Sequence, residues 1–593
     1  MEGLKYIFII SLLQTSIYAQ DPIIDTTTGK IKGSNISVQN VNLDVFLGIP
    51  FAKPPVGNLR FRRPEPIERW SGIKDTKEHV SACVQQVQGG IGGESLWNLK
   101  TNISEDCLYL NIWAPTESRK SRSNLTTMIW IHGGAFVSGS STLEIYDGKW
   151  LATSQNIIVA SLNYRLGPFG FLSLNDERAP GNMGLLDQNL AIKWIRDNIA
   201  SFGGDPDSLT LFGHSAGSAS VGFHTISPLS RKLFKNAIMM SGSTTSPWAI
   251  RSIDRNIDRA KAMAFALKCP MGNTKAMIDC FLEADAKKLA EAQSFNLDDY
   301  LKVTFTPVVD NYFLSGNLSE ILNDKTVKKD VLTGFVENEG SVFLLVAFPK
   351  ELPIKGNAQI GTDTAHKLIK SVTEPTNLNS LQMDVITYLY GSRVFSFPET
   401  EKYRYIIEQV AGDTAFKCPA FKFAEQFSSH SNVYMYSFEF RSRLNLWPKW
   451  LGVVHGYDVI FAFARPLPKK DYADEDKIVT ERMSSFFVNF SKSGNPNNGD
   501  CSDCSNDPWP KFTPKREIYV VIDDKAKVET KENYMNNICG LWTDLLPKMN
   551  KHPICPVPTS GSQNIWTFQG RILTYFTSIS FSLLLFWNFL LKC

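Results

Sequence analysis

Ser215 is the side chain in this sequence whose surroundings best suit a chemical role. It is the central residue of a Gly-x-Ser-x-Gly motif at residues 213–217. Such a motif places a serine in a strained turn between a strand and a helix, where its hydroxyl is exposed as a nucleophile. Gly213 and Gly217 are required there because larger side chains would clash with the neighbouring strand and helix. The pentapeptide also occurs in ordinary loops, so the flanking elements decide between the two interpretations.

The residues on both sides of this serine have the pattern that the motif requires. An apolar run at 209–212 predicts a buried strand, and residues 216–226 predict the helix that follows it. Two more buried strands are predicted at 127–130 and 157–162, and residues 184–202 have the one-sided apolar pattern of a helix. Short apolar runs that alternate with amphipathic helices predict an α/β fold with a central sheet.

A second glycine-rich turn, His-Gly-Gly-Ala-Phe at residues 132–136, follows the predicted strand 127–130. Backbone amides in such a turn can stabilise the oxyanion that forms when a serine attacks a carbonyl group. The alternative is a turn with no such role. Two motifs of this kind at two strand ends favour serine-dependent acyl transfer over two unrelated loops.

Composition and charge limit the classes of protein and partner. The 593 residues are 43% apolar and 20% charged, which excludes a collagen-like, low-complexity or wholly disordered chain. The 62 basic and 59 acidic side chains leave a formal charge of +3, too small for the dense basic surface that nucleic-acid binding requires. We therefore expect one large core, since no linker divides the chain, and no nucleic-acid partner.

The N-terminus predicts export. Residues 1–19 combine a basic residue, an apolar run and a plausible cleavage site after Ala19, as a secretory signal peptide does. Export exposes the chain to an oxidising compartment, so we expect disulfides and N-linked glycans. The Asn-x-Ser/Thr motif occurs at Asn35, Asn102, Asn124, Asn317 and Asn489.

The C-terminus predicts membrane attachment. Small residues at 560–562 are followed by a short spacer and an apolar run at 572–591, the order found in a glycosylphosphatidylinositol (GPI) attachment signal. We expect Ser560 to accept the lipid, with 549–562 as the preceding segment and 563–593 as a removed propeptide. The alternative is a retained transmembrane helix, because the run is long enough to span a bilayer. Both alternatives place the protein on the extracellular face of the cell membrane.

Three longer segments, residues 105–113, 202–217 and 447–458, carry a family resemblance. They are similar to signatures of the cholinesterase and type-B carboxylesterase family of α/β-hydrolases. The resemblance implies an α/β-hydrolase catalytic domain over residues 20–548, with a large, mostly parallel central sheet. It also implies hydrolysis of carboxylic esters without a metal or an organic cofactor.

The resemblance assigns a role to each residue of a catalytic triad. Ser215 corresponds to the nucleophile, Glu339 to the acid and His455 to the base, in the chain order that α/β-hydrolases use. Glu337 is a nearby competitor for the acid. The histidine activates the serine by taking its proton, and the carboxylate orients the ring and stabilises its charged form. The oxyanion hole is assigned to the backbone amides of Gly134, Ala135 and Ala216.

The resemblance also implies a choline-ester substrate. Trp97 matches the indole on which cholinesterases stack the quaternary ammonium group, a cation–π contact. Phe343 matches a second aromatic residue of this pocket, and Asp458 a nearby acid. The acyl pocket is assigned to Trp248, Leu301 and Val303, and the two aliphatic residues indicate a roomy pocket.

Three positions depart from the cholinesterase pattern. His214 stands where cholinesterases have a glutamate, and Gln88 and Val137 replace residues that line the entrance. These departures keep open a broad-specificity carboxylesterase as an alternative. The family also includes neuroligin-like adhesion proteins that lack the triad, and this is a third, non-enzymatic alternative.

The ten cysteines fit the same family. The resemblance implies the pairs Cys83–Cys107, Cys269–Cys280 and Cys418–Cys539. Cys501 and Cys504 remain, and they either close a small loop or form a Cys-x-x-Cys redox or metal motif. Cys593 leaves with the propeptide. Cys555 is then unpaired and could link two copies in a homodimer.

Overall fold

The structure, a computed structural model, describes most of the chain between residues 21 and 551. The described ranges are 21–86, 97–297, 300–301, 303–355, 360–373, 378–394, 397–499 and 508–551. Several predicted features lie outside them: the signal peptide at 1–19, Gln88, Cys501, Cys504, Cys555, Ser560, Cys593 and the apolar run at 572–591. Within these ranges, no helix is both long enough and apolar enough to cross a bilayer.

The chain forms two compact units, Met1–Asn536 and Asn537–Cys593. All predicted triad, oxyanion and pocket residues belong to the first unit. The described part of the second unit is helical and ends at Lys551. A single catalytic domain over 20–548 stays a prediction.

A mixed sheet is the centre of the first unit. Eleven strands of the described chain form it: Ser34–Val38 (β1), Val41–Pro50 (β2), Tyr109–Pro115 (β3), Leu125–Ile131 (β4), Ile158–Leu162 (β5), Gly204–His214 (β6), Asn236–Met240 (β7), Asp330–Val336 (β8), Val433–Phe438 (β9), Tyr519–Ile522 (β10) and Glu529–Lys531 (β11). Their spatial order is β11-β10-β9-β8-β7-β6-β4-β5-β3-β2-β1. The strands from β5 through β10 in this order pair in parallel, whereas the pairs at both edges are antiparallel.

The central strands are buried along most of their length because both faces of the sheet are covered. Ile129 and Leu211 belong to one buried cluster, whereas their chain neighbours Trp130 and Phe212 belong to the cluster on the opposite face. Side chains alternate between the faces of a strand, so a strand covered on both sides carries apolar residues on both faces. This architecture confirms the α/β-hydrolase fold that the resemblance implies.

The described residues also form α-helices, the last of which belongs to the second unit. Their bounds are Thr116–Ser121 (α1), Lys149–Gln155 (α2), Gly167–Phe171 (α3), Met183–Asn198 (α4), Ala216–Ile226 (α5), Ile253–Leu267 (α6), Thr274–Glu283 (α7), Ala286–Ala292 (α8), Leu318–Leu322 (α9), Ser341–Ala347 (α10), Thr362–Val372 (α11), Ser380–Gly391 (α12), Glu399–Gly412 (α13), Cys418–Phe427 (α14), Val459–Ala462 (α15), Asp474–Ser493 (α16) and Leu546–Lys551 (α17). Shorter helical turns include Ile199–Phe202, which continues α4, and Asp413–Lys417 between α13 and α14.

Among the described residues, three smaller sheets lie outside the central one. Ile23–Thr26, Gly29–Lys32 and Ile73–Asp75 form the first, and Ser173–Asp176 pairs with Ala179–Pro180 in the second. Ala82–Cys83 also pairs with Ile103–Ser104, next to the first disulfide.

Disulfides and buried ion pairs stabilise the segments around the sheet. The predicted bridges Cys83–Cys107 and Cys269–Cys280 are present, and Cys418 and Cys539 are also both disulfide-bonded. Arg165 pairs with Asp187 at 2.7 Å, and both side chains are almost fully buried. Loss of one partner of such a pair leaves a buried, uncompensated charge, which typically costs about 3–5 kcal/mol.

The predicted glycosylation sites differ in exposure. Asn102, Asn124 and Asn317 are exposed, and Asn35 is partly buried. Asn489 is buried within α16, and its Nδ2 donates to the carbonyl oxygen of Pro496 at 3.3 Å. Glycans at all five positions stay predictions.

Candidate active site

Ser215 lies in the predicted strand-to-helix turn. It follows β6 directly, and its φ of 58° and ψ of −122° are strained for a residue with a side chain. Its amide donates to the carbonyl oxygen of Met240 at 2.9 Å, which ties the turn to β7. A Cβ on Gly217 would lie 2.0 Å from the carbonyl oxygen of Ile131, and one on Gly213 would lie 2.6 Å from that of Gly217. The steric reason for both glycines is therefore confirmed.

The second glycine-rich turn lies against this serine. A Cβ on Gly133 would come within 3.0 Å of the Cβ of Ser215, so the two backbones approach closely. Gly134 and Ala135 follow with positive φ values of 113° and 54°. Ala216 is the first residue of α5, where backbone amides have no acceptor within the helix. The three predicted oxyanion residues thus come from two segments that meet at Ser215.

Glu339 and His455 form a hydrogen-bonded pair. Glu339 lies in the turn after β8 and is fully buried, and the side chain of His455 is 7% exposed. Nδ1 of His455 donates to Oε2 of Glu339 at 2.5 Å, and the amide of Val336 donates to Oε1 at 3.0 Å. Both carboxylate oxygens therefore accept hydrogen bonds, and one of them fixes the orientation of the imidazole.

Glu337, the competing acid, has a different environment. Its amide donates to the carbonyl oxygen of Phe438 at 3.0 Å. Its side chain is exposed, and partial desolvation of the carboxyl group together with the nearby Glu439 raises its pKa. The structure thus brings Glu339, rather than Glu337, to His455.

Asn338 joins the turn of the acid to the loop of the base, a role that the sequence analysis did not identify. Its amide donates to the carbonyl oxygen of Val453 at 3.1 Å, and its Oδ1 accepts from the amide of Val453 at 3.0 Å. A Cβ on Gly452 would lie 2.1 Å from this Oδ1, so the contact requires glycine there. No local pattern marks Asn338, because Val453 is 115 residues away in sequence.

Burial sets the protonation states of the pair. It lowers the pKa of His455, so the imidazole is neutral at physiological pH. Burial raises the pKa of Glu339, and the hydroxyl of Ser241, the amide of Val336 and the charge of Lys417 oppose that rise. Nε2 of His455 is buried and has no hydrogen-bond partner among the described residues, so it is free to accept a proton. A neutral base of this kind can activate a serine hydroxyl.

Two phenylalanine rings lie against the base. The ring centroids of Phe343 and Phe416 lie 5.0 and 4.6 Å from that of His455. Phe416 also lies 5.6 Å from Trp248, so it connects the predicted acyl pocket to the base. Phe416 was not predicted, because it comes from the irregular turn Asp413–Lys417, which no sequence motif marks.

Trp97 lies on the other side of the base, beyond His214. The ring centroids of His214 and His455 are 4.4 Å apart, and those of Trp97 and His214 are 6.4 Å apart. Gly456 makes this approach possible, since a Cβ there would lie 2.9 Å from His214 and 3.2 Å from Trp97. His214 is 4% exposed, and burial lowers its pKa well below the ordinary value, an effect to which His455 adds.

The remaining predicted pocket residues are less directly connected to the pair. Val303 is buried in the same large apolar cluster as Trp248, and Leu301 packs against that cluster. Val137 is half-buried, after the glycine-rich turn. Asp458 is buried, and its Oδ2 accepts from the hydroxyl of Tyr436 at 2.9 Å.

Comparisons with known proteins agree with this geometry. Residues 20–542 match the profile of a family described as the carboxylesterase family. An acetylcholinesterase of Electrophorus electricus is 36% identical over 586 residues, which cover 92% of this chain and 91% of that protein. A cholinesterase of Mus musculus is 36% identical over 540 residues, covering 89% and 88%, and an acetylcholinesterase of Bungarus fasciatus is 36% identical over 535 residues, covering 89% and 86%. With a buried Glu–His pair, a strained serine turn and these relatives, the chain belongs to the carboxylesterase family and is a serine hydrolase of carboxylic esters.

Proposed function

We propose that this enzyme hydrolyses choline esters through an acyl-enzyme intermediate. Ser215 is the nucleophile, His455 the general base and Glu339 the acid that orients the base. In the first step the Ser215 hydroxyl attacks the ester carbonyl while Nε2 of His455 takes its proton. The amides of Gly134, Ala135 and Ala216 stabilise the resulting oxyanion.

The intermediate then collapses and releases the alcohol. His455 donates its proton to the leaving oxygen, and the acyl group stays on Ser215. Water attacks this ester in the second half of the reaction, and His455 again takes and returns the proton. Glu339 stabilises the imidazolium form each time, because its Oε2 already accepts from Nδ1.

The observation that carries the choice of substrate is the row of rings from Trp97 through His214 to His455. An indole this close to the base can hold a quaternary ammonium group by a cation–π contact while the ester reaches the serine. The relatives named as acetylcholinesterase and cholinesterase support the same substrate class. Trp248, Leu301 and Val303 hold the acyl group, and the two aliphatic side chains leave space for acyl groups larger than acetyl.

A broad-specificity carboxylesterase is the second candidate, and His214 favours it. A neutral, buried imidazole lies next to Trp97 where a carboxylate would attract a cation. Such an enzyme would have the same triad but little preference between charged and uncharged esters.

Trp97→Ala distinguishes the two candidates. We expect KM for a thiocholine ester to rise by about 10-fold or more, since the cation–π contact is lost. KM for an uncharged thioester of equal size should change much less. Parallel kinetics on the two substrates give the comparison.

Trp70→Ala is the matched control for this experiment. Trp70 is another partly buried indole, and its Nε1 donates to the carbonyl oxygen of Lys30, in a different part of the first unit. The control should affect neither KM. Equal losses on both substrates in Trp97→Ala would contradict choline selectivity and support the carboxylesterase.

The tether and the location are also part of the proposal. Residues 1–19 direct export, Ser560 carries a GPI anchor, and the enzyme acts at the extracellular face of the cell membrane. Cys555 joins two copies in a disulfide-linked homodimer. The support for these proposals is the sequence pattern alone.

Treatment of intact cells with phosphatidylinositol-specific phospholipase C tests the anchor. We expect the lipase to release active enzyme into the medium, because a GPI-anchored chain has lost the apolar run at 572–591. Heat-inactivated lipase is the control. Activity retained on the cells, together with a peptide containing Phe586 and Trp587 in the mass spectrum, would instead indicate a transmembrane helix.

A further inference from the structure

A buried lysine lies behind the turn that carries the triad acid. Lys417 ends the turn Asp413–Lys417, which has π-helical hydrogen bonding between α13 and α14. Such turns insert an extra residue into a helix and are frequent at functional sites. Phe416, the preceding residue, packs on the ring of His455, whereas the side chain of Lys417 is only 4% exposed. One irregular turn therefore supplies both a ring that packs on the base and a buried cation.

Hydrogen bonds connect this lysine to Glu408. Nζ of Lys417 lies 3.6 Å from Oδ1 of Asp413 and donates to Oε1 of Gln409 at 3.0 Å. Nε2 of Gln409 in turn donates to Oε2 of Glu408 at 2.7 Å. A buried ammonium group is tolerated only with such partners, since an isolated buried charge is very costly.

Glu408 then contacts both sides of the triad acid. Its Oε1 accepts from the amide of Gly340 at 3.3 Å, and its Oε2 accepts from Nδ2 of Asn338 at 3.2 Å. These two residues flank Glu339 in the chain, and Asn338 also holds the loop of His455. The hydrogen bonds from Lys417 through Gln409 and Glu408 to this turn form a continuous path, which we call the lysine relay.

The charges along the relay favour an ionised Lys417. Burial opposes its charge, but Tyr534, Asp413, Glu408 and Tyr405 together raise the pKa of its ammonium group well above the ordinary value. Asp413 is held in turn by the hydroxyls of Tyr390 at 2.8 Å and Tyr534 at 2.7 Å. A fixed positive charge therefore lies close to the turn of Glu339.

We propose that Lys417 is a positioning residue for the hydrolytic reaction, which holds the turn of Glu339 through the lysine relay and stabilises the negative charge of Glu339 by its own nearby positive charge. The inference rests on the proposed roles of Glu339 and His455. It extends them to a residue that contacts neither the ester nor the base.

Other groups also act on Glu339, so the test must isolate the lysine. The groups around the carboxylate and its turn are His455, Ser241, Lys417, Asp458, Tyr436 and Glu408, and burial raises the pKa of Glu408 to about 7. Of these, Lys417 supplies the fixed positive charge, and Asp458 and Tyr436 supply no attraction. Removal of the lysine therefore changes the electrostatic balance with a definite sign.

The experiment measures kcat/KM for an uncharged thioester from pH 5 to 9 in the full-length protein. Lys417→Met removes the positive charge, so the Glu339–His455 pair binds a proton more readily. A protonated pair cannot accept the serine proton. The acidic limb of the profile, where kcat/KM falls as the pH decreases, should therefore move to higher pH by about 0.5–1 unit. Lys417→Arg keeps the charge and should leave the limb in place.

Asp413→Asn provides a test of opposite sign. It removes a negative charge beside Lys417 while keeping an acceptor for a tyrosine hydroxyl, so the limb should move to lower pH. If Lys417→Met does not fold, the direction in which the limb moves in Asp413→Asn decides by itself whether the relay is supported. A limb that moves up in Lys417→Met and down in Asp413→Asn supports the relay.

A limb that stays in place, or moves in the same direction in both variants, overturns the inference and leaves Lys417 a structural residue that affects only the unfolding temperature.

Glu339→Gln is assayed in the same series. If that variant keeps wild-type activity, the proposed triad fails. If it is inactive while the limbs of the other variants do not move, only the lysine relay fails.

Discussion

Ser215→Ala is expected to lower kcat for ester hydrolysis by roughly 10⁴-fold or more, because the acyl-enzyme can no longer form. The change removes one oxygen atom from a residue that is only 8% exposed. The strained backbone of the turn is held by the hydrogen bond from the backbone amide of residue 215 to the carbonyl oxygen of Met240, which the variant keeps. The unfolding temperature should therefore stay close to that of the wild type.

Ser220→Ala is the matched control. Ser220 is also a buried serine of α5, and its hydroxyl donates to the carbonyl oxygen of Ala216 at 2.9 Å. This control should retain most activity. A fluorophosphonate probe gives a second measurement, since it should add mass to the peptide of Ser215 in the control and not in Ser215→Ala. Labelling of a different serine together with residual turnover would contradict the assignment.

Glu339→Gln should reduce kcat by about 10³- to 10⁴-fold, the loss seen when the acid of a serine triad becomes an amide. The amide no longer stabilises the imidazolium, and its NH₂ group favours the wrong tautomer of His455. KM should change little, because the carboxylate is fully buried behind the base and does not contact the ester.

Glu337→Gln is a close control for this variant, two residues away in the same turn. Its side chain is exposed, whereas that of Glu339 is fully buried and lies against His455. Normal activity in Glu337→Gln beside the large loss in Glu339→Gln would assign the acid. The reverse result would show that the turn rearranges and that Glu337 serves the base.

The sequence predicted the elements around the nucleophile well, because each has a strong local pattern. Strand 209–212 lies within β6, and strands 127–130 and 157–162 coincide with β4 and β5 apart from one or two terminal residues. The helix at 184–202 is α4 followed by the turn Ile199–Phe202. In these segments apolar periodicity and glycine breaks alone define the structure.

Residues that act through distant contacts could not be predicted in this way. Phe416 reaches His455 only because Asp413–Lys417 forms an irregular turn, and hydrophobic periodicity does not encode such a turn. Asn338 joins segments that are 115 residues apart. Lys417 would ordinarily be interpreted as a solvated surface lysine, since lysines are rarely buried. Each of these assignments needs the three-dimensional arrangement of strands that only the structure provides.

The order of strands in the sheet also has a consequence for biosynthesis. β4, β5, β6 and β7 are adjacent in the sheet and are complete once Met240, which accepts from the amide of Ser215, has been made, so the serine turn can form on the nascent chain. His455 follows about 215 residues later, which at ~5–20 residues per second takes roughly 10–40 s. During that interval the nascent chain carries the serine without its base. Esterase activity therefore appears only after β8 and β9 have joined the sheet, so measured activity reports chains that have completed folding rather than chains that have merely been synthesised.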